Sequence, residues 1–156
     1  MSKTGSFFGL LAWLVLVFSV SALSARYMPG EWYRGLNKPS FNPPGWVFGP
    51  VWTVLYTMMA VAAFLVWRKA GFAGAQTALG LFLVQLALNG LWSWLFFGLQ
   101  RPDLALIDII ALWFAILGTI LAFRVHSKPA FILLLPYIAW VSFATILNAS
   151  IVRLNP

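Results

Sequence analysis

The sequence lacks cysteine, has a single histidine and contains few charged side chains. Without cysteine there can be no disulfide framework, no thiol chemistry and no thiolate metal site. One histidine and no cysteine also exclude haem ligation by two histidines or by a cysteine. Charged residues make up 8% of the chain, whereas ordinary soluble proteins carry about 25%. The composition therefore excludes an ordinary soluble protein.

Patterns typical of enzymes are missing as well. We find no glycine-rich phosphate loop, no cluster of metal ligands and no Ser/His/Asp set. There is also no chain of buried acids of the kind that conducts protons through membrane proteins. An enzyme in the usual sense is therefore not expected, and no metal site and no required cofactor are predicted.

Hydrophobic residues, by contrast, make up 62% of the chain. Five apolar runs are long enough to cross a bilayer, which takes about 20 residues in a helix. They cover residues 7–25, 47–67, 79–99, 104–123 and 130–151. Spanning backbone must satisfy its own hydrogen bonds, so these runs are helices. The sequence predicts an all-α integral membrane protein, a five-transmembrane-helix bundle that forms one domain over residues 1–156.

Basic residues outnumber acidic ones, with ten Lys and Arg against three Asp and Glu. They lie at the ends of the runs, where they can contact anionic lipid headgroups, so a lipid bilayer is the expected partner and nucleic acid is not. They divide five against five between the two sides of the membrane, so the positive-inside rule leaves the orientation open. Lys3 and the small residues 21–25 are also typical of a cleavable signal peptide. We interpret the first run as the first span.

The segment between the first two runs, residues 27–46, is called the lid loop here. Prolines in and just after it fix φ and remove backbone donors, which keeps it extended. Its aromatic surface comes from Trp32, Tyr33, Phe41 and Trp46, followed by Phe48. We interpret the segment as a cover over the bundle. The alternative is an interfacial loop with ordinary Trp and Tyr anchoring.

Local signals predict where some helices begin and end. Asn42 and the two prolines after it predict a cap and first turn for the second helix. Gly71 and the basic pair at 68–69 predict the end of that helix. Asp103 suits the positive start of the fourth helix.

Polar and aromatic side chains share faces of the predicted helices. At 3.6 residues per turn, these faces carry Trp52, Tyr56, Met59 and Ala63; Gln85, Asn89, Trp92 and Phe96; Asp108, Ala115 and Thr119; and Tyr137, Trp140, Ala144 and Asn148. Polar groups avoid lipid, so we predict that the faces converge on a pocket with aromatic walls, where the small Ala144 leaves space. The alternative is that the amides only join helix to helix and the tryptophans fill the core.

Three further residues have an ambiguous or minor role. Asp108 is the acid well inside a run, which makes it a functional candidate; it also lies about one turn from the start of the run, which suits a carboxylate reached by water. Pro136 leaves the carbonyl of Ile132 without its usual donor, which favours a local opening of the last helix. His126 falls in a connecting loop and is interpreted as an interfacial side chain, not as a ligand.

Several motifs occur together in a fixed order: WYRGLNKPSFNPPGWVF in the lid loop, VWTVLY in the second run, QLALNGLWSWLFFG in the third and PYIAWVSFATILN in the fifth. With these motifs the chain resembles the TspO/MBR family, which comprises tryptophan-rich sensory proteins and the mitochondrial translocator protein, or peripheral benzodiazepine receptor. The resemblance covers residues from about 32 to 155.

The resemblance implies five packed helices, often in a homodimer, with the first loop over a ligand pocket. It implies tetrapyrroles such as protoporphyrin, sterols and drug-like hydrophobic molecules as ligands. The matching pocket positions are Trp52, Asn89, Tyr137, Trp140, Ala144 and Asn148, to which we add Trp32, Trp46, Tyr56 and Trp92 from the lid loop and the converging faces. Trp52 and Trp140 also match tryptophans linked to light-dependent porphyrin degradation in the family, so they are the catalytic candidates.

Two departures from the family pattern limit what carries over. Phe41 stands where the loop often has tryptophan, which affects any light chemistry. The stretch 147–153 has no tyrosine between its leucine and arginine, which argues against sterol binding.

The expected function is a membrane receptor, sensor or translocator, in a bacterial cell membrane, that binds protoporphyrin IX and regulates porphyrin and stress responses. Two alternatives stay open: light-dependent porphyrin degradation, and a structural or regulatory subunit without a ligand. Stacking, apolar burial and attraction of propionates to Arg34 or Lys38 need no iron, so metal-free protoporphyrin is expected to bind at least as well as haem.

Overall fold

The computed structural model describes residues 2–156, and helices dominate this part of the chain. The helices are α1 (Lys3–Ser24), α2 (Glu31–Arg34), α3 (Phe48–Gly74), α4 (Gln76–Ser93), α5 (Pro102–His126) and α6 (Lys128–Leu154). A 3₁₀ turn, Gly45–Val47, leads into α3, and a π-helical turn, Trp94–Gly98, continues α4. All but α2 are long and apolar enough to span a membrane. The predicted five-span bundle is confirmed, with spans that extend beyond the apolar runs at most ends.

The start of α5 follows the sequence prediction, whereas the start of α3 does not. Pro102 and Asp103 occupy the first turn of α5. Asn42 does not cap a helix, because the 3₁₀ turn begins three residues later and the Asn42 Oδ1 atom is buried without a partner among the described residues. The physical reason is that Pro43 and Pro44 have no N–H groups and that the backbone of Pro44 is extended, with ψ 145°, so no helical turn begins directly after Asn42.

Gly71 interrupts α3 but does not end it. Its backbone has φ +69° and ψ 178°, a conformation that favours glycine, and helical turns resume as far as Gly74. The predicted stop at Gly71 and the preceding basic pair is therefore a kink within the helix. Pro136 has a smaller effect than predicted, because α6 runs through it without a break.

The bundle has a large core and a smaller second core. α1 packs on α3 and α4, α4 on α5, and α6 on both α3 and α5. The large core joins all five long helices. The second core surrounds Phe96, Ala105, Leu147 and Ile151. The helix order places this second core, the lid loop and the end of α6 at one end of the bundle, and His126 at the opposite end.

The contact between α1 and α3 depends on Gly9. A Cβ atom at this position would overlap with the indole ring of Trp67. Gly9→Ala should therefore force the helices apart and lower the free energy of unfolding by about 1–3 kcal/mol. Gly80→Ala is the matched control, because among the described residues no atom outside the neighbouring backbone of α4 lies within 4 Å of the added Cβ. Denaturation of both variants in detergent micelles, followed by circular dichroism, measures the difference; equal midpoints would contradict this packing.

Candidate functional site

A chain of buried hydrogen bonds joins α3, α4 and α6 in the middle of the bundle. The Tyr56 hydroxyl donates to Asn89 Oδ1 at 2.7 Å, and Asn89 Nδ2 donates to the Tyr137 hydroxyl at 2.8 Å. Tyr137 in turn donates to Gln85 Oε1 at 2.7 Å. Gln85 Nε2 lies 3.9 Å from the Met59 sulfur, which completes the chain. These side chains are all buried, so each hydrogen bond forms away from lipid and water.

A second polar link joins α4, α5 and α6 near the second core. Trp92 Nε1 donates to Asn148 Oδ1 at 3.0 Å, and Asn148 Nδ2 donates to the backbone carbonyl of Pro102, also at 3.0 Å. The carbonyl of Pro102 can accept this bond in addition to a helical one, because a carbonyl oxygen has two lone pairs. A third link, from Trp113 Nε1 to Ser142 Oγ at 2.8 Å, joins α5 to α6. Sequence reasoning missed both Pro102 and this third pair.

Aromatic rings extend from these polar groups toward the lid loop. Trp52 packs on Tyr56 with ring centroids 5.4 Å apart and meets Tyr137 edge-on at 6.4 Å. Trp140 contacts Phe48 at 5.9 Å and Phe143 at 5.6 Å. Both tryptophans are half-buried, so part of each side chain is not covered by the bundle. We call Trp52, Tyr137, Trp140, Phe48 and Phe143 the aromatic wall.

The structure places the other predicted ligand residues in three kinds of position. Trp32 packs edge-on against Phe96 at 5.8 Å, within the second core. Ala144 is half-buried and packs on the large core, one turn along α6 from Trp140. Trp46 is 76% exposed and belongs to neither core, so it lies apart from the others. Phe143 was missed although it lies three residues from Trp140, a spacing that brings side chains together on a helix.

The predicted faces on α3, α4 and α6 meet, and their side chains bond from helix to helix as in the alternative interpretation. On α5, by contrast, Thr119 donates to Ala115 of its own helix. Gln85 and Asn89 on α4 each hydrogen-bond to Tyr137 on α6, and Asn148 on α6 bonds to α5. A shallow apolar groove of about 300 Å³ adjoins this region between α3 and α6, and its lining includes Val51, Met58 and Pro136. Ligand binding by the converging residues stays a prediction.

Asp108 is buried, with 5% of its surface exposed, and neither carboxylate oxygen has a partner among residues 2–156. It therefore lies inside the bundle and is not a helix-end carboxylate reached by water. His126 is half-buried at the end of α5, next to a separate concavity formed with the start of α4. The sequence predicts a connecting loop at His126, whereas His126 is the last residue of α5, far along the helix from Asp108. Its role as an interfacial side chain stays a prediction.

Tyr137→Phe tests the central hydrogen-bond chain. Loss of the hydroxyl leaves Asn89 Nδ2 and Gln85 Oε1 unpaired in a buried site, which should lower the free energy of unfolding by about 1–3 kcal/mol. Tyr27→Phe is the control, because Tyr27 lies exposed in the lid loop. Thermal unfolding in micelles gives the unfolding midpoints of both variants. A Tyr137→Phe midpoint as high as that of the control would show that the buried hydrogen bonds do not stabilise the bundle.

Comparison with known proteins assigns the chain to a family. The TspO/MBR family profile matches residues 8–154. A tryptophan-rich protein TspO from Archaeoglobus fulgidus is 45% identical over 94% of each chain. The human translocator protein is 42% identical over 85% of this chain and 82% of its own, and the tryptophan-rich sensory protein of Cereibacter sphaeroides is 39% identical over 93% and 90%. With five apolar helices and this likeness over almost its whole length, the chain belongs to the TspO/MBR family of multi-pass integral membrane proteins.

Proposed function

We propose that the protein binds tetrapyrroles such as protoporphyrin IX, and related flat hydrophobic molecules, and acts as a membrane sensor or translocator. The single observation that carries the proposal is the aromatic wall, in which half-buried Trp52 and Trp140 lie beside the buried hydrogen bonds of Tyr137. The names of two relatives, a sensory protein and a translocator protein, support the same general role.

The wall suits a flat apolar ligand for physical reasons. A flat aromatic ligand is attracted to large rings when it packs against them offset or edge-on. Burial of its apolar surface in the site adds to the binding free energy. The hydrogen bonds behind the wall fix the ring of Tyr137 and so hold its edge toward Trp52. A preformed wall of this kind loses little side-chain freedom when a ligand binds.

A tetrapyrrole also needs a place for its propionates. Arg34 lies exposed at the end of α2, on the lid loop. Lys38 is already engaged, because its Nζ atom donates to the carbonyls of Arg34 and Leu36 at 3.3 Å and lies over the Tyr33 ring. Arg34 is therefore the better candidate to meet a carboxylate. None of these contacts requires iron, so a metal-free ligand suffices.

The second candidate is a structural subunit without a ligand. It is favoured by one observation: the side chains of Asn89 and Asn148 already hydrogen-bond on both their oxygen and nitrogen atoms. Titration with metal-free protoporphyrin, followed by tryptophan fluorescence, separates the two. Saturable quenching supports the sensor or translocator, and unchanged fluorescence supports the subunit. Location in a bacterial cell membrane stays a prediction, since the relatives include archaeal and human proteins.

Ala144→Phe tests the proposed binding site. A phenyl ring one turn from Trp140 should occupy the space beside the wall and raise the Kd for protoporphyrin at least about tenfold, or about 1.4 kcal/mol. Ala139→Phe, on an exposed face of the same helix, should leave the Kd unchanged. Fluorescence titrations in micelles give both constants. If both folded variants bind like the wild type, the wall is not the ligand site.

A further inference from the structure

The lid loop is attached to the end of α6 by a pair of asparagines that lie 118 positions apart in the sequence. The backbone N–H of Asn37 donates to Asn155 Oδ1 at 2.9 Å, and Asn155 Nδ2 donates to the backbone carbonyl of Asn37 at 2.8 Å. The Asn155 amide thus pairs with the loop backbone on both sides, as a neighbouring strand would. We call this contact the asparagine pair.

The amide of Asn155 can take only one orientation in this contact. Its Nδ2 group also donates to the carbonyl of Ile151 at 2.8 Å, so it meets two carbonyl oxygens at once. A flipped amide would turn its oxygen toward both carbonyls and its nitrogen toward the Asn37 N–H. The side chain of Asn37 contributes less, because its Nδ2 atom lies 3.4 Å from the Leu154 carbonyl. The contact therefore depends on the Asn155 side chain and on the Asn37 backbone.

The rest of the lid loop is held mainly by ring contacts. Trp32 and Tyr33 pack edge-on against Phe96, and Phe41 meets Phe143 of the aromatic wall at 6.2 Å. Such contacts are less directional than hydrogen bonds and leave a loop more freedom to shift. The asparagine pair is the directional attachment between Tyr33 and Phe41, so breaking it frees the loop where it approaches the wall.

We propose that Asn155 is a positioning residue that keeps the lid loop closed and thereby sets how fast a ligand reaches and leaves the aromatic wall. This inference rests on the proposed function. The simpler role for Asn155 is to cap α6, which its contacts with Ile151 already do. The two roles differ in their consequences, since a cap affects the helix end and a closing contact affects the loop and the ligand rates.

The test compares two substitutions in the full-length protein in micelles. Asn155→Asp has the same shape but places a second oxygen against the carbonyls of Asn37 and Ile151. Asn37→Ala is the matched control, because it keeps the backbone N–H and carbonyl that form the pair. Asn155→Ala is added so that the result does not depend on the behaviour of a new charge near the membrane surface.

Hydrogen exchange without ligand is measured first, on peptides that cover residues 32–38 and the helices. Both Asn155 variants should speed exchange in the loop about tenfold, with the long helices unchanged, whereas Asn37→Ala should match the wild type. Stopped-flow mixing with metal-free protoporphyrin then gives the ligand rates. Both Asn155 variants should raise the association and the dissociation rate by a similar factor, about tenfold, and leave the Kd within about twofold.

The outcomes separate this inference from the proposed function. If the wild type does not bind protoporphyrin, the proposed function fails, and the ligand-gating role of Asn155 fails with it. If the wild type binds and the Asn155 variants keep wild-type loop exchange or wild-type rates, the inference is overturned while the proposed function stands. A rise in the dissociation rate alone would make Asn155 a ligand contact and would also overturn it.

Discussion

The Tyr137 hydroxyl is the group on which the arrangement of α3, α4 and α6 depends. It accepts from Asn89 and donates to Gln85, and Asn89 extends the link to Tyr56. In a bilayer the apolar surfaces of helices gain little by leaving lipid, so directional bonds and close packing decide how helices are rotated. One phenol that satisfies two amides on α4 therefore fixes the rotation of α6 and, with it, the position of Trp140.

This constraint explains why polar residues and large rings occur together. A buried amide without a hydrogen-bond partner would lower the stability of an apolar bundle. Here the side-chain amides of Gln85 and Asn89 are both hydrogen-bonded. The rings of Trp52 and Tyr137 then pack against a rigid support. Exceptions include Asp108 and Asn42, since the Asp108 carboxylate and the Asn42 Oδ1 atom are buried without a partner in the part of the chain that the structure describes.

Much of the fold could be predicted from the sequence, because length and hydropathy determine the spans and 3.6-residue periodicity determines the faces. The hydrogen-bond partners of the buried side chains could not be predicted, because they depend on how each helix is rotated. Trp92, for example, bonds to Asn148, and Asn148 bonds to a backbone carbonyl that no side-chain pattern reveals. The cap assigned to Asn42 was wrong because local propensity yields to the chain path set by two prolines. The exposure of Trp46 shows that an aromatic side chain in a loop does not by itself indicate contact with the bundle.

The central claim is that the aromatic wall is where a flat ligand binds, and its most direct test is to map the ligand by photo-crosslinking. A metal-free protoporphyrin with a diazirine on one propionate would be irradiated with the protein in vesicles, and the adducts located by mass spectrometry. The account predicts adducts on the lid loop and on residues 140–148 of α6, removed by excess unlabelled protoporphyrin. Adducts confined to lipid-facing residues of α1, such as Phe7 and Phe8, or to the concavity beside His126, would contradict it.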